Sequence, residues 1–394
     1  MWLCERDLPG PAGRLRRRLL VLLLAAALAP LSFAEEPAAA PKPSLFRDPQ
    51  DGAVDLSGWL ATRTGVLPVP LIITEPAVGF GGGVALVSFR GGGLAGAMKA
   101  PPGPSGKPVP PDIAVLGGGV TENGTWAAAV GYIGHFKEDR WRYKGAVARV
   151  SPNLDYYGSN DRAYQFNIDG WAIYQELGRR VGKTDLFAGL QLAWLDTTVR
   201  FDLSELPPEI PRPEVDATES GLGAFLEYDT RDNSLTPSSG VNVRASAVFL
   251  GSWLGGDHDF ERYTGKARFW WDPHPRLVLW ARLQAQGVSG DPPFWAIPFI
   301  YLRGVPAMRY QGESAFSVDV EARWNVRKRW WLVTFAGAGW TEDVPGLRKE
   351  GESVNAGGLG FRYLIARALG LQAGLDVAKG PEEYAVYVVV GSTF

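Results

Sequence analysis

The chain has 394 residues, with 40 Lys and Arg against 42 Asp and Glu, 46% hydrophobic and 21% charged residues. No basic excess exists to neutralise phosphates, which excludes a nucleic-acid binder, and the apolar content excludes a disordered chain. Gly 49, about 12% of the chain against a usual ~7%, and Trp 15 favour strands and tight turns over packed helices, and no apolar run reaches the ~18 residues of a membrane helix.

Arg14, Arg16, Arg17 and Arg18 precede eleven consecutive apolar residues, Leu19 to Ala29, and Ser32-Phe33-Ala34 offers small residues for cleavage. This is the layout of a secretory signal peptide over residues 1–34. Cleavage there removes the one cysteine, Cys4, and leaves 35 basic against 40 acidic residues. The expected mature chain therefore has no thiol for a disulfide, a zinc site or a nucleophile. Residues 35–58, opening with the Pro/Ala-rich EEPAAAPKP, read as a short periplasmic linker.

From Trp59 onward the period is two. Thr125 to Phe136 sets Trp126, Ala128, Val130, Tyr132 and Phe136 against small residues. Val241, Val243, Ala245, Ala247 and Phe249 oppose Asn242, Arg244 and Ser246; Tyr263, Gly265, Ala267, Phe269 and Trp271 oppose Arg262, Thr264, Lys266 and Arg268. Leu277, Leu279, Ala281 and Leu283 oppose Arg276, Arg282 and Gln284, with Val278 and Trp280 as exceptions. The clearest stretch sets Phe316, Val318, Val320, Ala322, Trp324 and Val326 against Ser317, Asp319, Glu321, Arg323 and Asn325. Such alternation marks strands with one apolar and one polar face.

These strands run about ten residues or more, as tilted membrane strands do, whereas sandwich strands average ~5–6. Short connections, such as 137–140, 178–183, 272–275, 327–329 and 365–368, alternate with long polar ones, such as 203–216, 251–259 and 289–312. Trp270-Trp271 and Trp330-Trp331 flank two of the short turns, as an interfacial aromatic girdle requires. The fold expected is an all-β transmembrane antiparallel barrel over residues 59–394. About sixteen strands start near residues 66, 78, 112, 124, 139, 161, 184, 217, 240, 257, 276, 313, 330, 352, 368 and 383. The Gly/Pro-rich segment 91–111 falls where a short turn belongs and has no physical account at this level. The last strand ends on Phe394, a terminal aromatic that resembles the signal read by the barrel-assembly machinery, with Ser392 as a polar departure.

Two stretches carry a more specific resemblance. Tyr301-Leu302-Arg303-Gly304 lies in the long loop between the eleventh and twelfth strands, and Asp229-Thr230-Arg231-Asp232-Asn233, with Pro237 and Gly240, forms the turn before the ninth. Together they resemble the bacterial surface antigen barrel shared by BamA, TamA and two-partner secretion transporters. The resemblance implies sixteen strands and a loop arginine, Arg303, folded into the lumen against carboxylates of the next two strands. Glu321 is then the expected partner, with Asp319 as an alternative. Gly337 stands at the expected place of the second acid, and Val305 where the family has an aromatic. Asp232 and Asn233 read as turn-formers, because Asx side chains bond their own local backbone.

Catalytic signatures are missing: there is no Gly-x-Ser-x-Gly elbow, Walker loop or His-Glu-x-x-His, and Asp257-His258-Asp259 reads as a solvated loop. No enzyme, cofactor or metal is expected. The expected partners are outer-membrane lipid, the barrel-assembly machinery during biogenesis and a client polypeptide. Three functions stay open. The resemblance implies protein insertion or translocation, although only a short stretch precedes the barrel where BamA-like proteins carry polypeptide-binding repeats. The inward charges Arg244, Arg262, Lys266, Arg268, Arg276, Arg282 and Arg323, set against Asp319 and Glu321, instead fit an anion-favouring pore. A mainly structural, surface-exposed barrel is the third.

Overall fold

The computed structural model describes residues 45–62, 65–90, 103, 106, 109–157, 162–202, 214–344 and 350–391. The expected signal peptide, the first part of the linker, most of segment 91–111 and the terminal Phe394 lie outside the described residues. A short helix, α1 (Ser57–Thr62), precedes the strands. These are β1 (Val66–Ile73), β2 (Gly81–Phe89), β3 (Ile113–Thr121), β4 (Trp126–Phe136), β5 (Trp141–Ser151, resumed after Pro152 as Asn153–Tyr157), β6 (Ala163–Arg180), β7 (Leu186–Phe201) and β8 (Glu214–Asp229). The second half comprises β9 (Gly240–Leu250), β10 (Phe260–His274), β11 (Leu277–Gly290), β12 (Ser314–Arg327), β13 (Trp330–Thr341), β14 (Ser353–Ala366), β15 (Leu371–Lys379) and β16 (Tyr384–Val390).

Every strand pairs antiparallel with its sequence neighbour from β1 through β16, giving a nearly closed all-β barrel of sixteen strands. Strand starts expected from the alternation differ from those observed by at most three residues. Both segments of β5 pair with β6, so the strand continues past the interruption at Pro152. Proline removes a ladder donor, which accounts for the break.

The alternation sorts by environment. Leu190, Leu226, Leu283, Val320, Leu332, Leu359, Val377 and Val386 stand exposed on the outer wall, while Glu176, Glu227, Arg282, Asp319, Arg362 and Asp376 are buried inside. An apolar outside and a polar inside invert the soluble-protein pattern and define a transmembrane barrel. The girdle is thinner than the Trp pairs implied: Trp271 and Trp330 face outward, whereas Trp270 is buried. Period two decides this, because consecutive indoles cannot share one face.

One turn is displaced from its expected place. β10 continues through Asp272 to His274, and the hairpin turns at Pro275-Arg276. Arg276 is consequently exposed in a short turn and does not line the lumen. The strand simply runs past Pro273, and a turn residue has no inward face.

Candidate functional site in the barrel lumen

The β11–β12 connection folds back into the barrel. Phe299 and Gln311 form an isolated bridge that narrows its neck, and Ile300 N–H donates to Tyr310 O at 3.0 Å. Beyond the neck, Ile300, Leu302, Val305 and Tyr310 form one buried apolar cluster with Val354 of β14. On the other side, Met308 packs with Phe166, Ile168 and Val199 of β6 and β7. The loop therefore crosses the lumen, held by apolar side chains at both walls.

Arg303 sits at its tip and is 2% exposed. Its Nη1 donates to Glu321 Oε2 at 2.7 Å and to Asp376 Oδ2 at 2.9 Å, and Nη2 donates to Asp319 Oδ1 at 3.4 Å. The guanidinium lies 3.6 Å from the ring centroid of Phe335 on β13. Asp376 is shared with Arg362 at 2.5 and 2.8 Å, and Asp319 with Arg282 at 3.5 Å. Buried charges persist only when paired and hydrogen-bonded, and a planar guanidinium serves several carboxylates at once.

Glycines make the seat. A Cβ on Gly337 would lie 2.7 Å from Leu302 Cδ2, and one on Gly339 2.4 Å from Ile300 Cγ2. A Cβ on Gly360 would lie 2.0 Å from Asp376 Oδ1. Gly337 thus leaves room for the loop, and Asp376 on β15, which sequence reasoning missed, supplies the further carboxylate. Its signal was the single inward Asp of the strand Leu371–Lys379, but only the register across four strands brings it to Arg303. Gly304, at φ +88°, donates its N–H to Tyr387 Oη at 2.8 Å, and Tyr310 donates to Glu382. Val305, where an aromatic was expected, is buried in the apolar cluster.

The β8–β9 turn closes toward the opposite, short-turn end. Arg231 grips Asp229 with two bonds of 2.8 Å. Asp232 accepts Ser238 and Ser239 N–H at 3.0 and 3.2 Å, and Asn233 Oδ1 accepts Leu235 N–H at 2.7 Å. Asn233 Nδ2 reaches across to Leu369 O at 3.0 Å, and Pro237 O accepts Arg323 Nη2 at 2.6 Å. Gly240, at φ +109°, would place a Cβ 2.6 Å from Thr230 O, so the turn needs glycine there.

The remaining inward cations divide. Arg244 is held by Glu176 at 2.7 Å and Glu227 at 3.2 Å, and Lys144 also meets both. Arg268 donates to Asn242 Oδ1 at 2.7 Å. Arg262 and Lys266 have no hydrogen-bonded or ion-paired partner among the described residues. Counting only Asp319 and Glu321 as inward acids therefore overstated the positive bias, because Glu176, Glu227 and Asp376 share the lumen. His258 Nδ1 lies 2.6 Å from Glu219 Oε1 and its ring meets Trp295 edge-on.

No family model matches the chain, and no curated protein matches it. Solved structures do. BamA from Haemophilus ducreyi lacking POTRA domains 1–3 is similar at TM-score 0.54 and 12% identity, over 84% of this chain and 71% of that one. CdiB from Escherichia coli is similar at TM-score 0.56 and 12% identity, over 83% of this chain and 62% of that one. CdiB from Acinetobacter baumannii is similar at TM-score 0.50 and 10% identity, over 84% and 59%. The chain spans less than two thirds of either CdiB. It has the outer-membrane β-barrel fold of BamA and CdiB.

Proposed function

We propose that this protein is an integral outer-membrane barrel that assists a client polypeptide into or across the membrane. The observation that carries the reading is the lumen loop seated by Arg303 in a barrel of BamA and CdiB fold. A plugged lumen suits a gated polypeptide-handling barrel better than a steady pore, because conduction needs an open, hydrated path. In this reading Arg303, Gly304 and Glu321 lock the loop, with Asp319 and Asp376. The segment Asp229–Gly240 braces the short-turn mouth, taken as periplasmic because outer-membrane barrels carry their short turns there. Residues 1–34 direct export, and Phe394 is read by the assembly machinery.

Deletion of the gene in its own host, followed by comparison of the outer-membrane and secreted proteomes, tests this. Loss of particular proteins, restored by the wild type and not by Arg303→Ala, is the expected result. An unchanged proteome beside altered uptake of small anions would establish the pore reading instead.

A further inference from the structure

Sequential neighbours share antiparallel ladders all round the barrel, but no ladder joins β1 to β16 among the described residues. β1 carries Pro68 and Pro70 at alternate positions, and proline has no N–H to give a neighbouring strand. Something other than strand pairing must hold this seam.

We infer that residues 45–62 form a latch that bridges the β1–β16 seam at the short-turn end. One apolar cluster contains Leu60 of α1, Leu67 and Val69 of β1 and Phe89 of β2, together with Ala366, Leu369 and Leu371 from the far side of the seam. Hydrogen bonds fix the segment to that far side. Leu56 N–H donates to Ile365 O at 2.7 Å, Arg367 N–H to Asp55 Oδ2 at 3.1 Å, and Ala368 N–H to Ser57 Oγ at 3.0 Å.

An ion-pair knot completes the attachment. Arg329, in the β12–β13 turn, is 1% exposed and meets Asp48 at 2.5 Å, Asp55 at 2.6 Å and Asp51 at 2.8 Å. Arg329 Nη1 also donates to Val54 O at 3.0 Å. Arg367, in the β14–β15 turn, meets Asp51 at 2.5 Å and Asp48 at 3.0 Å. Only residues 63–65 separate α1 from β1, so Thr62 and Val66 lie at most ~14 Å apart. Whatever holds α1 to the β14–β15 turn therefore also holds the start of β1 near β15 and β16. The seam is thus bridged at the short-turn end by a segment outside the strands, and that segment carries the charge knot.

This inference is independent of what the barrel handles, and its test reads the seam directly. The full chain, reconstituted in lipid nanodiscs, carries a ketone-bearing residue in place of exposed Val66 and Val390 for nitroxide attachment. Pulsed electron–electron resonance then gives the distance between the two strand ends. The wild-type distribution should be narrow. Arg329→Ala with Arg367→Ala should add a component longer by about 5 Å, one inter-strand spacing. An oxidised Leu56→Cys/Ile365→Cys disulfide in that background should remove it, and reduction should restore it. Samples are first shown to be folded by their resistance to SDS before heating. Should the double variant fail that check, Leu60→Ala is read in the same way. An unchanged distribution in a folded variant, or broadening that the disulfide does not reverse, overturns the latch.

Discussion

Arg303 and Asp376 are separated by 73 residues and meet at 2.9 Å in the barrel interior. One lies at the tip of a folded-in loop, the other on the penultimate strand. Three carboxylates and the face of Phe335 surround this guanidinium, so its removal would leave buried charge without its counter-ion.

Arg303→Ala should therefore destabilise the barrel by about 3–5 kcal/mol, the usual result of breaking a buried ion pair from one side. Urea unfolding in detergent measures this. Asp376→Ala in the same background should add less than its own effect, with a coupling of about 0.5–3 kcal/mol. Strict additivity would show that the contact carries no energy.

Gly360→Ala tests the seat from the neighbouring strand, β14. A methyl group there would lie 2.0 Å from Asp376 Oδ1 and must push that carboxylate aside. Overpacking of this kind costs roughly 1–3 kcal/mol. Planar-bilayer recordings of Gly360→Ala should also show more frequent openings than the wild type, as the loop loses one of its anchors. Quiet recordings with unchanged stability would mean that the wall can give way at no cost.

The latch has a defined acid limit. The hydrogen bond from Arg329 holds Asp51 at about 2, below the ~3.9 of an unfolded aspartate. Asp48, Asp55, Arg329 and Arg367 face it. A depressed carboxylate contributes stability above the unfolded value and loses it as pH falls through the folded one. The distance between positions 66 and 390 should stay narrow from pH 7 to about 4 and broaden between about 4 and 2. Arg329→Ala should remove most of that acid transition.

Lys266 and Arg268 report on the lumen once the loop is released. In an Arg303→Ala background, Lys266→Glu with Arg268→Glu should move the reversal potential toward cation selectivity, since a ring of charge sets which ion enters. An unchanged reversal potential would place these side chains off the conducting path.

Local chemistry determined the wall. Period-two alternation, long strands and the short-long rhythm of connections were sufficient for a sixteen-strand barrel, because each depends only on neighbours along the chain. The positions 66, 240 and 330 start strands as the alternation implied. Arg276 was misplaced because periodicity does not say where a hairpin turns, and β10 runs to His274.

The interior was decided by register, which brings together residues far apart in sequence. Asp376 and Arg362 reach the Arg303 network only through the three ladders that join β12 to β15, and Gly360 reads as a mere strand glycine until Asp376 occupies the space above it. The same holds for Asp48, Asp51 and Asp55, which look like solvated linker residues in the sequence and close on Arg329 some 280 positions later. The alternation of a strand is written in its own side chains; the partner of a buried charge is set by which strands the closing barrel brings opposite it.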